Sequence, residues 1–212
     1  LILLPYIMLF SVSGFLNDKF SRTRITRYAA ASEILLTLFI TVSYLCGWFY
    51  VAFSTTLLLA VQSAIYSPAK YGLIKKIVGG EKLGAANGIV QAFTIVAILL
   101  GSFVFSAIFE MYAAQSTDAG EMIKSVWFIG AILFVCSVAE TIFTFKIPFF
   151  EATDAGLKFD AKKYFKLGYL KENTRHIFNN KNAFLCTLGL SVFWAVAQLV
   201  IAVFPAHYKA MS

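Results

Sequence analysis

Polar side chains recur at helical spacing inside two of the most apolar stretches of this sequence. One set consists of Asn87, Gln91 and Thr94, and the other of Thr55, Gln62 and Tyr66. At about 100° per residue, the members of each set fall on one face of a helix. Polar groups among apolar residues are costly unless they face protein or a water-filled cavity. Each face therefore predicts either the lining of a polar path or a helix–helix contact through small and polar residues.

Ionisable side chains are rare in the apolar stretches. Glu33, Glu110 and Glu140 lie near the predicted ends of their stretches, where a long side chain can extend to the membrane interface. Proton coupling through one of them is the alternative interpretation. Lys70 at the end of one stretch and Gln198 in the last one are further candidates for binding a polar ligand.

Enzymatic chemistry finds little support in the residue pattern. The two histidines are His176 and His207, and the residue five places after His176 is Lys181, so the His-x4-Asp pair of glycerolipid acyltransferases is absent. The sequence also lacks a nucleophile-elbow, zinc-protease or Gly-rich phosphate-loop motif. The cysteines have no metal-ligand spacing and are interpreted as small hydrophobes buried in the membrane: Cys46, Cys136 and Cys186. We predict no catalytic residue, no metal and no cofactor.

The composition excludes a soluble single domain. Of the 212 residues, 59% are hydrophobic and 14% are charged, which leaves too little polar surface to cover a water-soluble globule of this size. Because a membrane-spanning helix needs about 20 apolar residues, the length is sufficient for about six spans. The chain is predicted to be an all-α, polytopic membrane protein.

Polar segments separate six apolar stretches. These stretches are 1–16, 28–46, 48–66, 83–109, 125–145 and 182–205. Gly47 leaves room only for a tight turn between the second and the third. The segment 67–82 contains Pro68, Gly79 and Gly80, a composition that breaks helices. We also predict a loop at 113–124.

Lysine and arginine are distributed very unequally between the two sides of these spans. Sixteen of the eighteen fall in the segments 17–27, 67–82 and 146–181, whereas Lys124 and Lys209 fall on the opposite side. Since cytoplasmic loops carry such an excess, the three basic segments are predicted to face the cytoplasm. The first stretch then runs from outside to inside. A chain that begins there, and without Met, is expected to lack one preceding helix.

The longest basic segment divides the chain into predicted domains. Residues 1–145 form a first half, 146–181 a cytoplasmic linker, and 182–212 the first helix of a second half. From about 160 to 178 the linker spaces aromatic and aliphatic residues among lysines. This pattern predicts an amphipathic basic helix on the membrane surface, or else a solvated linker helix.

The segment after the first stretch resembles a motif of the major facilitator superfamily of secondary transporters. It reads Gly14-Phe15-Leu16-Asn17-Asp18-Lys19-Phe20-Ser21-Arg22-Thr23-Arg24. Gly14, Asp18, Lys19 and Arg24 match the family pattern, whereas Ser21 replaces a second glycine and Thr23 replaces a base. The resemblance implies the superfamily fold, with this chain covering about helices 2 to 7. It also implies that Asp18 stabilises the outward-facing state; a positive-inside anchor is the alternative.

Three further strings look like those of the lysophospholipid transporters of Gram-negative bacteria. They are Ser67-Pro68-Ala69-Lys70-Tyr71-Gly72, Ala86-Asn87-Gly88 and Ala97-Ile98-Leu99-Leu100-Gly101-Ser102. That branch is also found fused to an acyltransferase and an acyl-carrier-protein synthetase. The resemblance implies that the chain moves lysophosphatidylethanolamine or a similar lysophospholipid across the inner membrane for reacylation, by alternating access.

The resemblance also implies which residues meet the substrate, because helices four and five of the superfamily border the central cavity. The candidate substrate-binding residues are Gln62, Tyr66, Lys70, Asn87, Gln91, Thr94 and Gln198, and the candidate switch residues are Gly14, Asp18, Lys19 and Arg24. Lysophospholipid, membrane lipids and a fused or associated acyltransferase are the expected partners, and nucleic acid is not. Two alternatives remain open: a drug or metabolite exporter of the same superfamily, and a membrane anchor for a fused lipid-modifying enzyme.

Overall fold

A computed structural model describes residues 4–113, 118–152 and 168–211, together with the single positions 156, 158, 162 and 164. All regular secondary structure in these residues is α-helical. The helices are α1 (Leu4–Lys19), α2 (Arg22–Cys46), α3 (Phe49–Val78), α4 (Leu83–Ala113), α5 (Ala119–Ser125), α6 (Trp127–Phe145), α7 (Gly168–Asn179) and α8 (Lys181–Met211). In α8, the side chains at 198, 200–202 and 204–211 lie outside the description.

Four of the described helices are long and apolar enough to cross a membrane. They are α2, α3, residues Leu83–Tyr112 of α4, and α6. Helix α1 has 16 residues, and the apolar part of α8 that is fully described runs from Lys181 to Ala197. This architecture confirms the prediction of an all-α, polytopic membrane protein.

The chain divides into two compact units, at Leu1–Lys158 and Phe159–Ser212. In the first unit, α2 packs against both α3 and α6, and α1 packs against α3. In the second, α7 packs on α8, where the rings of Phe178 and Phe184 lie 5.1 Å apart. The finer division at 145 and 181 stays a prediction. The amphipathic helix predicted from about 160 is described as α7 from Gly168 onward, and most of 160–167 lies outside the described residues.

Small residues bring α2 and α6 close together. A Cβ on Gly130 would lie 2.9 Å from Cα of Thr41, so only glycine fits at this crossing. The hydroxyls of Thr37 and Ser137 are 2.9 Å apart in the same interface, and Thr141 Oγ1 donates to the carbonyl of Ala30 over 3.0 Å. Without a hydrophobic driving force between helices in lipid, close packing and such hydrogen bonds hold the pair.

The helix break predicted for 67–82 is wrong for most of that segment, because α3 continues through Pro68 to Val78. Pro68 has no N–H to give to the carbonyl of Ala64. Ser13 Oγ of α1 donates to that carbonyl instead, over 2.8 Å, and Asn17 Nδ2 reaches the next carbonyl, that of Ile65, at 3.3 Å. Both polar side chains are buried. Helix α1 therefore supplies the donors that a proline inside a membrane helix requires.

The loop predicted for 113–124 is also partly wrong, because its second half forms the short helix α5. Asp118 accepts a hydrogen bond from the backbone N–H of Glu121 over 3.1 Å and caps this helix. The helix packs on the tight turn between α2 and α3. There Gly47 has a φ of 74°, and a Cβ would lie 3.0 Å from the carbonyl oxygen of Gly120. The turn predicted at Gly47 is confirmed.

The contact between Ser13 and the carbonyl of Ala64 predicts a coupling that a double-mutant cycle can measure. Ser13→Ala in the full-length protein should lower the free energy of unfolding by about 1 kcal/mol, since the carbonyl loses its donor. With Pro68→Ala present, the helical N–H returns and the same substitution should cost less than half as much. Reversible unfolding in lipid–detergent micelles measures both values. An equal cost in the two backgrounds would contradict this assignment.

Candidate functional site

The switch motif joins the ends of three helices. Arg22, at the start of α2, lies 3.4 Å from the carboxylate of Asp18 in α1 and donates to the carbonyl of Gly72 in α3 over 3.3 Å. Gly72 is the last residue of the string that begins at Ser67. A Cβ at Gly72 would lie 2.5 Å from Nη1 of Arg22. The two family-like strings therefore meet in space, and glycine leaves room for the guanidinium.

Ser21, which replaces the second glycine of the family motif, caps α2. Its φ of −59° needs no glycine, and its Oγ accepts from the backbone N–H of Arg24 at 3.4 Å. The same hydroxyl donates to the carbonyl of Phe150 over 2.6 Å. Thr23, which replaces a base, donates to the carbonyl of Pro148 over 3.2 Å and accepts from the N–H of Phe150 over 3.2 Å. The two departures from the motif thus attach the segment after α6 to the start of α2.

Cations strengthen this attachment. Arg27 donates to the carbonyl oxygens of Phe145 and Ile147, at 3.2 and 2.8 Å. The guanidinium of Arg24 lies 5.3 Å from the ring centroid of Phe149, within the range of a cation–π contact. We call the contacts between 21–27 and 145–150 the linker clasp.

The remaining switch candidates, Lys19 and Gly14, make fewer contacts with other residues. The ammonium of Lys19 lies 5.5 Å from the ring centroid of Phe15 and 5.7 Å from that of Phe20. A Cβ at Gly14 would meet no atom within 4 Å, so packing among the described residues does not explain glycine there.

Two amides on α4 have spare hydrogen-bonding capacity. Gln91 Nε2 donates to the hydroxyl of Tyr71 on α3 over 3.3 Å. The side-chain oxygens of Asn87 and Gln91 are both buried and have no hydrogen-bond partner within the described part of the chain. Thr94 donates to the carbonyl of Val90 in its own helix over 2.7 Å. Buried amide oxygens without partners are uncommon and call for an explanation.

The other candidates on α3 point elsewhere. Gln62 Nε2 donates to the carbonyl of Ala29 in α2 over 3.0 Å. Tyr71 lies five positions after Tyr66, so the two side chains point about 140° apart. The structure therefore does not bring Gln62 and Tyr66 together with Asn87 and Gln91.

The two remaining binding candidates are a cation and an amide. Lys70 is half-buried and makes no ion pair or hydrogen bond with another described residue. Gln198 lies on α8, but its side chain is outside the description. Neither position is tested as a binding residue, and both stay predictions.

Sequence reasoning missed a polar cluster between α2, α3 and α6. Glu33 is the twelfth residue of the 25-residue helix α2, which begins six residues before the predicted apolar stretch. It is close to the side chain of Gln62 and to the carboxylate of Glu140. Tyr66 in turn faces Glu140. The spacing of Gln62 and Tyr66 on one face was the signal, and their partners could not be seen without the helix packing.

The fold defines a multi-pass helical membrane protein with polar groups between its helices. Comparison with curated proteins finds relatives that share one name. The chain is 29% identical over 194 residues to a protein of Photorhabdus laumondii named lysophospholipid transporter LplT, covering 90% of this chain and 43% of that protein. The protein of the same name from Pectobacterium carotovorum is 30% identical over 196 residues, which cover 89% of this chain and 41% of that protein. That of Serratia proteamaculans is 36% identical over 133 residues, with coverages of 63% and 28%.

These similarities confirm the resemblance to the lysophospholipid transporters, and the relatives are named as transporters, not as enzymes. The chain spans less than half the length of these relatives. No family model matches the chain, and no solved structure is significantly similar to it.

The contact between Arg22 and Gly72 predicts a substitution effect that depends on the arginine. Gly72→Ala should lower the free energy of unfolding of the full-length protein by about 1 kcal/mol, because Arg22 must leave the carbonyl it binds. Gly101→Ala is the matched control, since a Cβ there meets no atom of the described residues within 4 Å. In an Arg22→Ala background, Gly72→Ala should cost nothing. If Gly72→Ala costs as much there as in the wild type, Arg22 is not what excludes the side chain.

Proposed function

We propose that the chain is part of a secondary transporter that moves lysophospholipid across the bacterial inner membrane by alternating access. The observation that carries this proposal is the pair of buried side-chain oxygens on Asn87 and Gln91, which have no hydrogen-bond partner among the described residues. The chain that carries them is similar to proteins named lysophospholipid transporter. Unpaired acceptors in a membrane helix are costly unless a ligand or another helix supplies donors.

The chemistry of a lysophosphatidylethanolamine headgroup fits these acceptors. Its ammonium has three N–H donors, like that of a lysine side chain, and two amide oxygens one helical turn apart can accept two of them. The phosphate would need a cation, and the ammonium of Lys70 on α3 makes no ion pair with another described residue. We therefore propose a headgroup site at the interface of α3 and α4, with Asn87, Gln91 and Lys70 as its polar contacts.

The other candidate positions have different roles in this proposal. Thr94 extends the polar face of α4 by one turn, and Gln198 stays a candidate for substrate binding. Substrate binding by Gln62 and Tyr66 stays a prediction. We leave both out of the proposed headgroup site, because Gln62 already donates to the carbonyl of Ala29.

The linker clasp and the Asp18–Arg22–Gly72 contact support a switching role for the motif. Alternating access requires the two halves of a transporter to rock as rigid bodies. The clasp attaches the start of the linker to α2 through several backbone carbonyls, so a movement of the linker would act directly on the motif. We propose that Gly14, Asp18, Lys19 and Arg24 belong to this switch.

We place the chemistry of reacylation in a partner enzyme. Lipid moved to the cytoplasmic leaflet needs an acyltransferase, fused to this chain or associated with it, as the family resemblance implies. The residues of the chain itself are assigned to binding and movement of the lipid and not to catalysis.

Uptake of labelled lysophosphatidylethanolamine into spheroplasts that express the full-length protein tests the proposal. The wild type should exceed the empty vector, and Gln91→Leu should reduce the initial rate at least fivefold, because a lost hydrogen bond to a charged group is worth about 1.5–3 kcal/mol. Thr56→Val is the control, since Thr56 is exposed on α3 and its hydroxyl donates to the carbonyl of Ala52 in the same helix.

Three results would count against the proposal in different ways. Export of a soluble amphiphile without lipid uptake would favour the exporter, and absence of any transport would favour the membrane anchor. If Gln91→Leu takes up the lipid at the wild-type rate, lipid transport stands and the proposed headgroup site is excluded.

A further inference from the structure

A groove of about 790 Å³ opens between α2 and α3, away from the headgroup site. Its walls are largely aliphatic and include Leu36, Leu58, Val61 and Ile65. Its volume lies within the range of pockets that bind drug-sized ligands. Because both helices are long and apolar enough to span the bilayer, a groove of this composition suits hydrocarbon chains.

Polar groups in the groove are used by the protein or lie at one end. Gln62 and Ser32 both donate to the carbonyl of Ala29, at 3.0 and 2.7 Å, so they offer little to a ligand. Arg24 and Tyr28 line the end nearest the start of α2, and both are exposed. Positive charge and a tyrosine at the end of an apolar groove are typical of the level of lipid headgroups.

The charge at this end favours an anion. Arg24 has no carboxylate within 4 Å among the described residues. An adjacent shallow cavity is lined by Lys19, Arg24 and Glu151, so two cations there face one acid. This end belongs to the basic segment 17–27, which the distribution of lysine and arginine assigns to the cytoplasm. Anionic lipids of the cytoplasmic leaflet are attracted to such basic segments.

We propose that the α2–α3 groove binds an anionic diacyl phospholipid of the cytoplasmic leaflet, with its phosphate at Arg24 and its acyl chains along the aliphatic wall. A zwitterionic headgroup would bring an ammonium towards an end with excess positive charge. The groove therefore selects against the ethanolamine headgroup that the α3–α4 site is proposed to accept. This lipid is a bound partner of the first unit and not the transported molecule, and the assignment does not depend on the proposed transport function.

Native mass spectrometry of the full-length protein tests this site directly. Phosphatidylglycerol and phosphatidylethanolamine with identical acyl chains are titrated separately, and the retained adducts are counted. Arg24→Gln should reduce phosphatidylglycerol retention about fivefold, the effect of one basic residue at a lipid surface, and leave phosphatidylethanolamine unchanged. Arg24→Lys should restore retention. Lys82→Gln is the matched control, since Lys82 is an exposed cation of another basic segment and lies outside the groove.

Substitutions that fill the groove test whether the lipid is retained there and not on another surface of the protein. Leu58→Trp should abolish the most tightly retained phosphatidylglycerol, and Val61→Phe provides a smaller change should the tryptophan variant fail to fold. Retention of phosphatidylglycerol at wild-type levels in Arg24→Gln, or in the folded groove variant, would overturn the proposal. So would preferential retention of lysophosphatidylethanolamine in the groove, which would make it part of the substrate path.

Discussion

In the hydrocarbon of a bilayer, a carbonyl that loses its helical N–H partner has no water to replace it. Pro68 creates such a carbonyl at Ala64, and Ser13 supplies the donor from a different helix. Helix α3 can therefore continue to Val78, which carries Gly72 to the level of Arg22. The motif at the start of α2 depends on this continuation, because Arg22 binds the carbonyl of Gly72. The hydrogen bond from Ser13 to the carbonyl of Ala64 thus helps to bring the two family-like strings together.

The same constraint separates structural polar groups from candidate functional ones. Thr37, Ser137 and Gln62 find partners on neighbouring helices, and these contacts hold the first unit together. Among the described residues, Asn87 and Gln91 retain buried side-chain oxygens without hydrogen-bond partners, as Asn17 does in α1. The two on α4 lie one helical turn apart on the same face. Where every polar group is costly to bury, spare acceptors are the positions at which a ligand or a further helix gains most.

Sequence patterns predicted the all-α membrane class, the tight turn at Gly47 and the spacing of the polar faces, because composition and periodicity are local properties. They failed at Pro68, where a helix was predicted to end, since the rescuing Ser13 lies 51 positions away. They also could not show that Gln62 and Gln91, alike in type and setting, face different helices. Which helix a side chain contacts depends on how the helices pack, and the spacing of residues along the sequence does not show it.

The free energies of unfolding of Gln62→Leu and Gln91→Leu in the full-length protein test the central distinction most directly. Gln62→Leu removes a bond to the Ala29 carbonyl and should lower stability by about 1 kcal/mol. Gln91→Leu removes an oxygen that has no partner among the described residues and an exposed hydrogen bond from Nε2 to Tyr71, and it should change stability by less than about 0.5 kcal/mol. An equal or larger loss in Gln91→Leu would contradict the account, because Gln91 would then be a packing residue.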